Sequence, residues 1–145
     1  AMTPPAQHMG VGDETMARVR EGLRAVVHEP GGTSFSLGGL GIEGVEMAGK
    51  TGTAQVYSIT AEEREQGVRE QEDLPWRLRD HGLFMCYAPA DNPKYACVVV
   101  VEHGGGSSAA TRPARDILRR TVARDPSSRP GVFASLSPPT SRGGI

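Results

Sequence analysis

The sequence predicts an α/β sandwich of the α+β kind, in which an antiparallel sheet packs against an N-terminal and a C-terminal helix. Two segments, one near each end of the chain, place apolar residues at helical spacing. Between them, two apolar runs flank a short loop rich in turn formers, which is typical of a β-hairpin. An extended segment precedes the hairpin. The order helix, strand, hairpin, helix therefore predicts three strands and two helices.

The first helix is predicted from Asp13 to about His28. Asp13 or Thr15 can cap its start. Pro30 and the two glycines after it end the helix, because neither residue type continues a helix easily. The apolar positions that recur on one face are Met16, Val19, Leu23, Val26 and Val27.

The next part of the chain alternates between loops and one strand. Residues 31–44 are rich in glycine and are predicted to form a loop, whereas residues 45–59 carry β-branched and aromatic residues that favour extended chain. Residues 61–80 are dominated by charged side chains. We expect an exposed excursion there, with some helix before Pro75.

The hairpin is predicted from two apolar runs, Leu83–Ala88 and Tyr95–Glu102, joined by residues 89–94. The second run is apolar on both faces, as in a strand that is covered on both sides. Cys86 and Cys97 are expected to face each other across the hairpin. We interpret them as small buried hydrophobes; a cross-strand disulfide is the second interpretation, although directly opposed cysteines strain that bond.

A last helix is predicted after the three glycines at 104–106, capped by Ser107, Ser108 or Thr111, with Pro113 near its first turn. Residues 125–145 are rich in Pro, Ser, Gly and Arg and are expected to form a disordered tail. The predicted organisation is thus a lead-in over residues 1–12, one domain over 13–124, and this tail.

Composition excludes several classes of function. Sixteen basic and 17 acidic residues leave a net charge of −1, so the overall charge does not support binding to nucleic acid or to a membrane surface. Two cysteines cannot supply a four-ligand zinc site. His81 and His103 lie next to strand ends and are expected to be network or surface residues, not metal ligands. We expect no metal and no cofactor.

Residues 44–51 match the phosphate-loop pattern G-x-x-x-x-G-K-[ST]. That chemistry needs a strand leading into the loop and a helix leading out. Here the approach is rich in glycine, and Gly52 with β-branched residues stands where the helix should start. A nucleotide-binding module is therefore kept as an alternative function only.

The same residues form a K-T-G triplet, the motif of serine acyl-transferases that react with penicillin. An edge strand can add an extended peptide to its sheet. Lys50 supplies a cation for a substrate carboxylate, and Gly52 lets a reacting group approach the main chain. Thr51 and Thr53 can offer hydroxyls, and the Thr53 N–H can face an oxyanion. This pattern predicts one wall of an acyl-transfer site.

Further blocks make this pattern specific to one family. They are, in order, Lys50–Val56, Leu78–His81, Phe84–Pro89 and Asn92–Gly106. In order and spacing they resemble the class B penicillin-binding proteins, especially the elongation-type branch of Gram-negative bacteria. The resemblance covers about residues 16–120.

The resemblance implies part of the transpeptidase fold shared with serine β-lactamases, and a role in cross-linking peptidoglycan. In the family, a serine in an S-x-x-K motif attacks a D-Ala-D-Ala stem peptide, and β-lactams acylate the same serine. By position, catalytic roles fall on Lys50, Thr51, Gly52 and Thr53. Binding of substrate or β-lactam falls on Lys50, Thr51, Thr53, Ala54 and Gln55.

The chain departs from the family's pattern in two motifs. Neither of its lysines, Lys50 and Lys94, has a serine three residues before it, and its one asparagine, Asn92, has no serine two residues before it. S-x-x-K and S-x-N are therefore absent from this sequence. We expect a C-terminal part of a transpeptidase domain that is inactive alone, since acyl transfer needs its nucleophile.

The resemblance also implies partners. These are the stem peptide, β-lactams and, for the full-length protein, an elongation glycosyltransferase with its elongation complex at the periplasmic face of the inner membrane; no nucleic acid is expected. In the family, two further strands come from upstream sequence and lie beside the last strand. The open strand edge is therefore expected to cause self-association. A non-catalytic cell-wall interaction module is the remaining alternative.

Overall fold

The computed structural model describes residues 10–67 and 69–126. Within them the chain forms three helices and three strands. In chain order these are α1 (Asp13–His28), β1 (Ala48–Ala54), α2 (Ala61–Gln66), β2 (His81–Ala88), β3 (Tyr95–Val101) and α3 (Ser108–Ala123), with 3₁₀ turns at Phe35–Leu37, Gln71–Asp73 and Trp76–Leu78. The predicted lead-in and tail lie mostly outside the described residues.

The strands form one antiparallel sheet in the order β1-β2-β3. This confirms the predicted fold class and the hairpin. The register sets Cys86 opposite Cys97, as expected. Both thiols are free, which excludes a cross-strand disulfide in this structure.

The core lies on one face of the sheet. Helix α3 packs on β2 and β3, while α1 packs against β1. Because side chains alternate along a strand, every second residue of β2 points into this core. The buried members of the core are Val27, Leu40, Met47, Phe84, Cys86, Ala88, Ala110, Ala114, Leu118 and Val122.

Strand β1 is shorter than predicted: it covers Ala48–Ala54, not residues 45–59. Its last residue, Ala54, pairs with His81, the first residue of β2. The strand ends where its partner ends, because extended chain without a paired neighbour gains no ladder hydrogen bonds. The charged excursion with its short helix α2 begins soon afterwards, as expected.

The helices differ from prediction at their starts. Gly12, not Asp13 or Thr15, stands at the N-cap of α1, and Asp13 lies in the first turn, where a carboxylate favours the helix dipole. Of the predicted apolar stripe, Val27 is buried but Val19 is 49% exposed. In α3, Ser107 occupies the N-cap position, but its side chain makes no capping hydrogen bond. Pro113 lies inside the helix rather than in its first turn.

The second face of the sheet is open in the described part of the chain. Met85 is 44% exposed, Val98 69% and Val100 55%. The expectation that β3 is covered on both sides is therefore not met by residues 10–67 and 69–126. No helix among them combines the length and apolarity needed to cross a bilayer.

Candidate active-site strand

Strand β1 carries the K-T-G-T residues on an edge of the sheet. It pairs with β2 on one side, with Lys50 opposite Met85 and Gly52 opposite Leu83. On its other side no strand pairs with it among the described residues. Such an edge presents unpaired backbone groups that can bind an extended peptide. The structure thus places Lys50, Thr51, Gly52, Thr53 and Ala54 in a continuous row, followed directly by Gln55.

Alternation along β1 separates the side chains into two sets. Lys50 and Gly52 share one face, and Thr51 and Thr53 share the other. The Lys50 side chain is exposed, and its Nζ donates a hydrogen bond to the carbonyl of Thr51 at 2.9 Å. The hydroxyls of Thr51 and Thr33 lie 2.9 Å apart. The cation therefore stays at the surface beside the strand, while Thr51 is tied to the loop after α1.

The two glycines of β1 have different surroundings. A Cβ on Gly49 would lie 2.6 Å from the Met85 carbonyl oxygen and 2.7 Å from the Phe84 ring. A Cβ on Gly52 would meet only the Leu83 Cβ, at 3.4 Å, which is an ordinary contact. Packing within this chain therefore requires glycine at 49 but not at 52.

Helix α1 anchors the start of β1. The Arg24 guanidinium donates two hydrogen bonds to the Glu46 carboxylate, at 2.5 and 2.7 Å, and this pairing lowers the pKa of Glu46 and raises that of Arg24. His28 Nε2 donates to the Met47 carbonyl at 3.0 Å. The entry to the strand is thus fixed from two successive turns of one helix.

The exit of β1 is held by residues that the sequence interpretation did not single out as functional. The backbone N–H of Val56 donates to Asp80 Oδ1 at 3.1 Å. Gln71 Nε2 donates to the other oxygen, Asp80 Oδ2, at 3.1 Å. Asp80 lies in Leu78–His81, one of the segments that carry the family resemblance, and no local spacing pattern links it to Val56.

The backbone around Lys50 does not have the geometry of a phosphate loop. Lys50 and Thr51 lie inside a strand that runs on to Ala54. A phosphate loop needs backbone N–H groups curled around an anion and a helix that starts at the Lys-Thr pair. The arrangement of residues 44–54 therefore does not support a nucleotide site.

The two histidines near the strand ends form a hydrogen-bonded network, as expected. The His103 backbone N–H donates to His81 Nδ1 at 2.9 Å, and His103 Nδ1 donates to the Arg79 carbonyl at 3.1 Å. The Trp76 ring meets the His103 ring edge-on, with centroids 4.7 Å apart. Within residues 10–67 and 69–126, no group of three His, Cys, Asp or Glu residues could hold a metal ion.

A small pocket with both polar and apolar lining lies beside Gln55, and Tyr57, Glu63 and Arg69 line part of it. The Tyr57 hydroxyl donates to the Glu63 carboxylate at 2.5 Å. That bond raises the pKa of Tyr57 and lowers the pKa of Glu63. Glu63 also completes a capping box with Thr60 at the start of α2, so local contacts hold the Glu63 side of the pocket.

Residues 2–119 match the sequence profile of the penicillin-binding protein transpeptidase domain. This chain belongs to that family. The peptidoglycan D,D-transpeptidase MrdA of Acinetobacter baumannii is 37% identical to this transpeptidase chain over 118 residues, which are 79% of the chain and 16% of the relative. MrdA of Escherichia coli K12 is 31% identical over 121 residues, 80% of the chain and 18% of the relative. The chain therefore spans less than a fifth of these relatives.

Solved structures agree with this transpeptidase fold. The D,D-transpeptidase domain of a peptidoglycan glycosyltransferase from Eggerthella lenta is 25% identical, with a TM-score of 0.58 over 85% of this chain and 23% of that one. Pseudomonas aeruginosa PBP2 in complex with WCK 5153 is 32% identical, with a TM-score of 0.50 over 76% and 19%. PBP2 of Helicobacter pylori in complex with MreC, 24% identical, shares the fold with a TM-score of 0.54 over 76% and 17%.

Proposed function

We propose that this chain forms one wall of the acyl-transfer cleft of a peptidoglycan D,D-transpeptidase. The observation that carries the proposal is the K-T-G-T sequence on an open edge strand in a chain of the transpeptidase family. A stem peptide ending in D-Ala-D-Ala would lie extended along β1. Its terminal carboxylate would then lie near Lys50, Thr51 and Thr53.

In the proposed reaction, a serine hydroxyl from outside this sequence attacks the carbonyl of the penultimate D-Ala. The Thr53 N–H donates to the oxygen that becomes negatively charged. The terminal D-Ala leaves as the amine after it receives a proton, and the acyl group stays on the serine until a second stem peptide's amine takes it. Gly52 keeps the strand surface flat where the reacting carbonyl must approach.

The chain would not perform this reaction alone, because S-x-x-K and S-x-N are absent from its 145 residues. For the full-length protein we propose stem peptides as substrates, β-lactams as inhibitors and an elongation complex as partner, at the periplasmic face of the inner membrane. The relatives named peptidoglycan D,D-transpeptidase MrdA support the peptidoglycan substrate in this proposal.

Labelling with fluorescent penicillin tests the proposal. We expect the full-length protein that contains this chain to be labelled covalently, and the 145-residue chain to remain unlabelled. Lys50→Ala in the full-length protein should slow labelling strongly, because the cation that orients the ligand carboxylate is lost. Labelling of the isolated chain would contradict our account of the missing nucleophile.

A non-catalytic interaction module is the second candidate, favoured by the exposed apolar face around Met85, Val98 and Val100. Adjacent exposed apolar residues of this kind, unlike single scattered ones, are typical of a contact surface. Full transpeptidase activity after both Lys50→Ala and Gly52→Val would favour this candidate over the catalytic wall.

A further inference from the structure

The carboxylate of Asp80 joins the two ends of the excursion between β1 and β2. The last paired residues of the two strands are Ala54 and His81. Just beyond them, the Val56 N–H donates to Asp80 Oδ1 at 3.1 Å. Asp80 immediately precedes β2, so this bond joins the two ends of the loop at the point where the ladder stops.

Gln71 completes the closure with two reciprocal hydrogen bonds. Its Nε2 donates to Asp80 Oδ2 at 3.1 Å, and its Oε1 accepts from the Asp80 backbone N–H at 2.8 Å. The Asp80 carbonyl in turn accepts from the Gly105 N–H at 2.9 Å. Asp80 is only 9% exposed, and a buried carboxylate is stable only when its oxygens are bonded.

We propose that Asp80 and Gln71 are positioning residues for the catalytic strand, acting as a clasp on the exit of β1. The proposal rests on the proposed function for its catalytic consequence. Helix α1 fixes the entry of β1 through Glu46 and Met47, and the clasp fixes its exit at Val56. Thr53 lies between these ties, and an oxyanion donor displaced by about 1 Å loses about a hundredfold in rate.

The hydrogen-bond pattern of the clasp suggests one substitution that disrupts it and a second substitution that restores it. A carboxylate only accepts hydrogen bonds, whereas an amide has one accepting and one donating end. Asp80→Asn therefore sets two donors against each other, at Val56 or at Gln71, whichever way the amide turns. Adding Gln71→Glu restores complementarity: the amide introduced at position 80 donates to the carboxylate introduced at position 71, and every other bond keeps its direction.

Hydrogen exchange on the 145-residue chain tests the clasp without any catalysis. We expect Asp80→Asn to speed amide exchange in residues 53–57 by about tenfold or more, while α3 is unaffected. The double variant should return to the original rate. Asp73→Asn, the same chemical change on an exposed carboxylate of the Gln71–Asp73 turn, serves as the matched control and should change nothing.

Acylation by penicillin in the full-length protein tests the positioning role. Asp80→Asn should lower the rate constant for acylation at saturating penicillin by at least about tenfold, and the double variant should recover most of it. Unchanged acylation in Asp80→Asn, or no recovery in the double variant, would overturn the proposal. If Asp80→Asn does not fold, recovery of both folding and acylation in the double variant supports the proposal, and absence of that recovery overturns it. Absence of labelling in the unsubstituted protein would instead refute the proposed function, while the exchange result on the clasp would still stand.

Discussion

At the scale of single residues, Gly49 and Gly52 differ in how closely the folded chain packs against them. They lie three positions apart in one strand, yet only at Gly49 would an added Cβ collide with backbone of this chain. Packing therefore leaves the strand surface at Gly52 open, as the proposed binding of a ligand along β1 requires. This distinction could not be read from the K-T-G motif, because the motif does not show which neighbour lies above each glycine.

We predict opposite outcomes for the two alanine variants. Gly52→Ala should change the free energy of unfolding by less than about 1 kcal/mol, yet slow penicillin acylation of the full-length protein by about tenfold or more. Gly49→Ala should destabilise the isolated chain by about 1–3 kcal/mol. Urea denaturation and labelling kinetics measure the two effects. Normal acylation in Gly52→Ala would contradict the assignment of that surface to the ligand.

The paired cysteines give a prediction about thiol reactivity. Burial, with a smaller effect of neighbouring Cys97, raises the pKa of Cys86 to about 12. At pH 8 the Cys86 thiol is then almost entirely protonated, whereas the thiolate is the reactive form. We expect iodoacetamide to modify half-buried Cys97 before Cys86 in the native chain, as mass spectrometry can show.

The same pKa shift makes the stability of the folded chain depend on pH. The folded pKa lies above the value of about 8.5 for an unfolded thiol, so the contribution of Cys86 to the free energy of unfolding is complete below that pH and is lost as pH rises toward 12.

Denatured, unreduced protein should titrate with two free thiols. Fewer than two would show a disulfide and contradict the free cysteines of the structure.

At the scale of elements, the sheet depends on a close approach between β2 and the turn before α3. A Cβ on Gly82 would lie 2.0 Å from the Gly106 carbonyl oxygen, and the neighbouring Gly105 N–H bonds to Asp80. The backbone of the turn must move if this position gains a side chain. The contact between this run of glycines and β2 was not predictable from local sequence, because the two segments lie far apart along the chain.

We predict that Gly82→Ala destabilises the chain by about 2–4 kcal/mol, through the steric shift and the loss of the Asp80–Gly105 hydrogen bond. Gly22→Ala is the control: a Cβ there meets nothing within 4 Å, and alanine in a helix interior should stabilise by about 0.5–1 kcal/mol. Thermal and urea unfolding measure both. Equal stabilities of the two variants would contradict the close packing of β2 on the turn.

Elements were more predictable than the contacts between them. Helical spacing and the turn-rich loop identify α1, α3 and the hairpin, because these signals are local. The length of β1 was predicted wrongly, since a strand ends where its partner ends and the partner lies far along the chain. The ties of Arg24 to Glu46 and of Asp80 to Val56 are non-local and leave no spacing pattern.

At the scale of the whole molecule, the sheet leaves apolar surface uncovered within the described residues. Val98 and Val100 of β3 are 69% and 55% exposed, and Met85 beside them on β2 is 44% exposed. Strand β3 also pairs on one side only, among residues 10–67 and 69–126. An exposed apolar face joined to an unpaired strand edge favours association with another chain.

We therefore predict that the 145-residue chain self-associates as its concentration rises. Light scattering should show a mass above 15.4 kDa at high concentration, returning to the monomer on dilution. Val98→Lys places a charge on the exposed face of the edge strand, where burial in an interface would cost its solvation, and should shift the equilibrium to monomer. Ile117→Lys, at a residue of α3 that is 50% exposed, is the matched control and should leave association unchanged. A monodisperse monomer at high concentration would show that this face stays solvated without a partner.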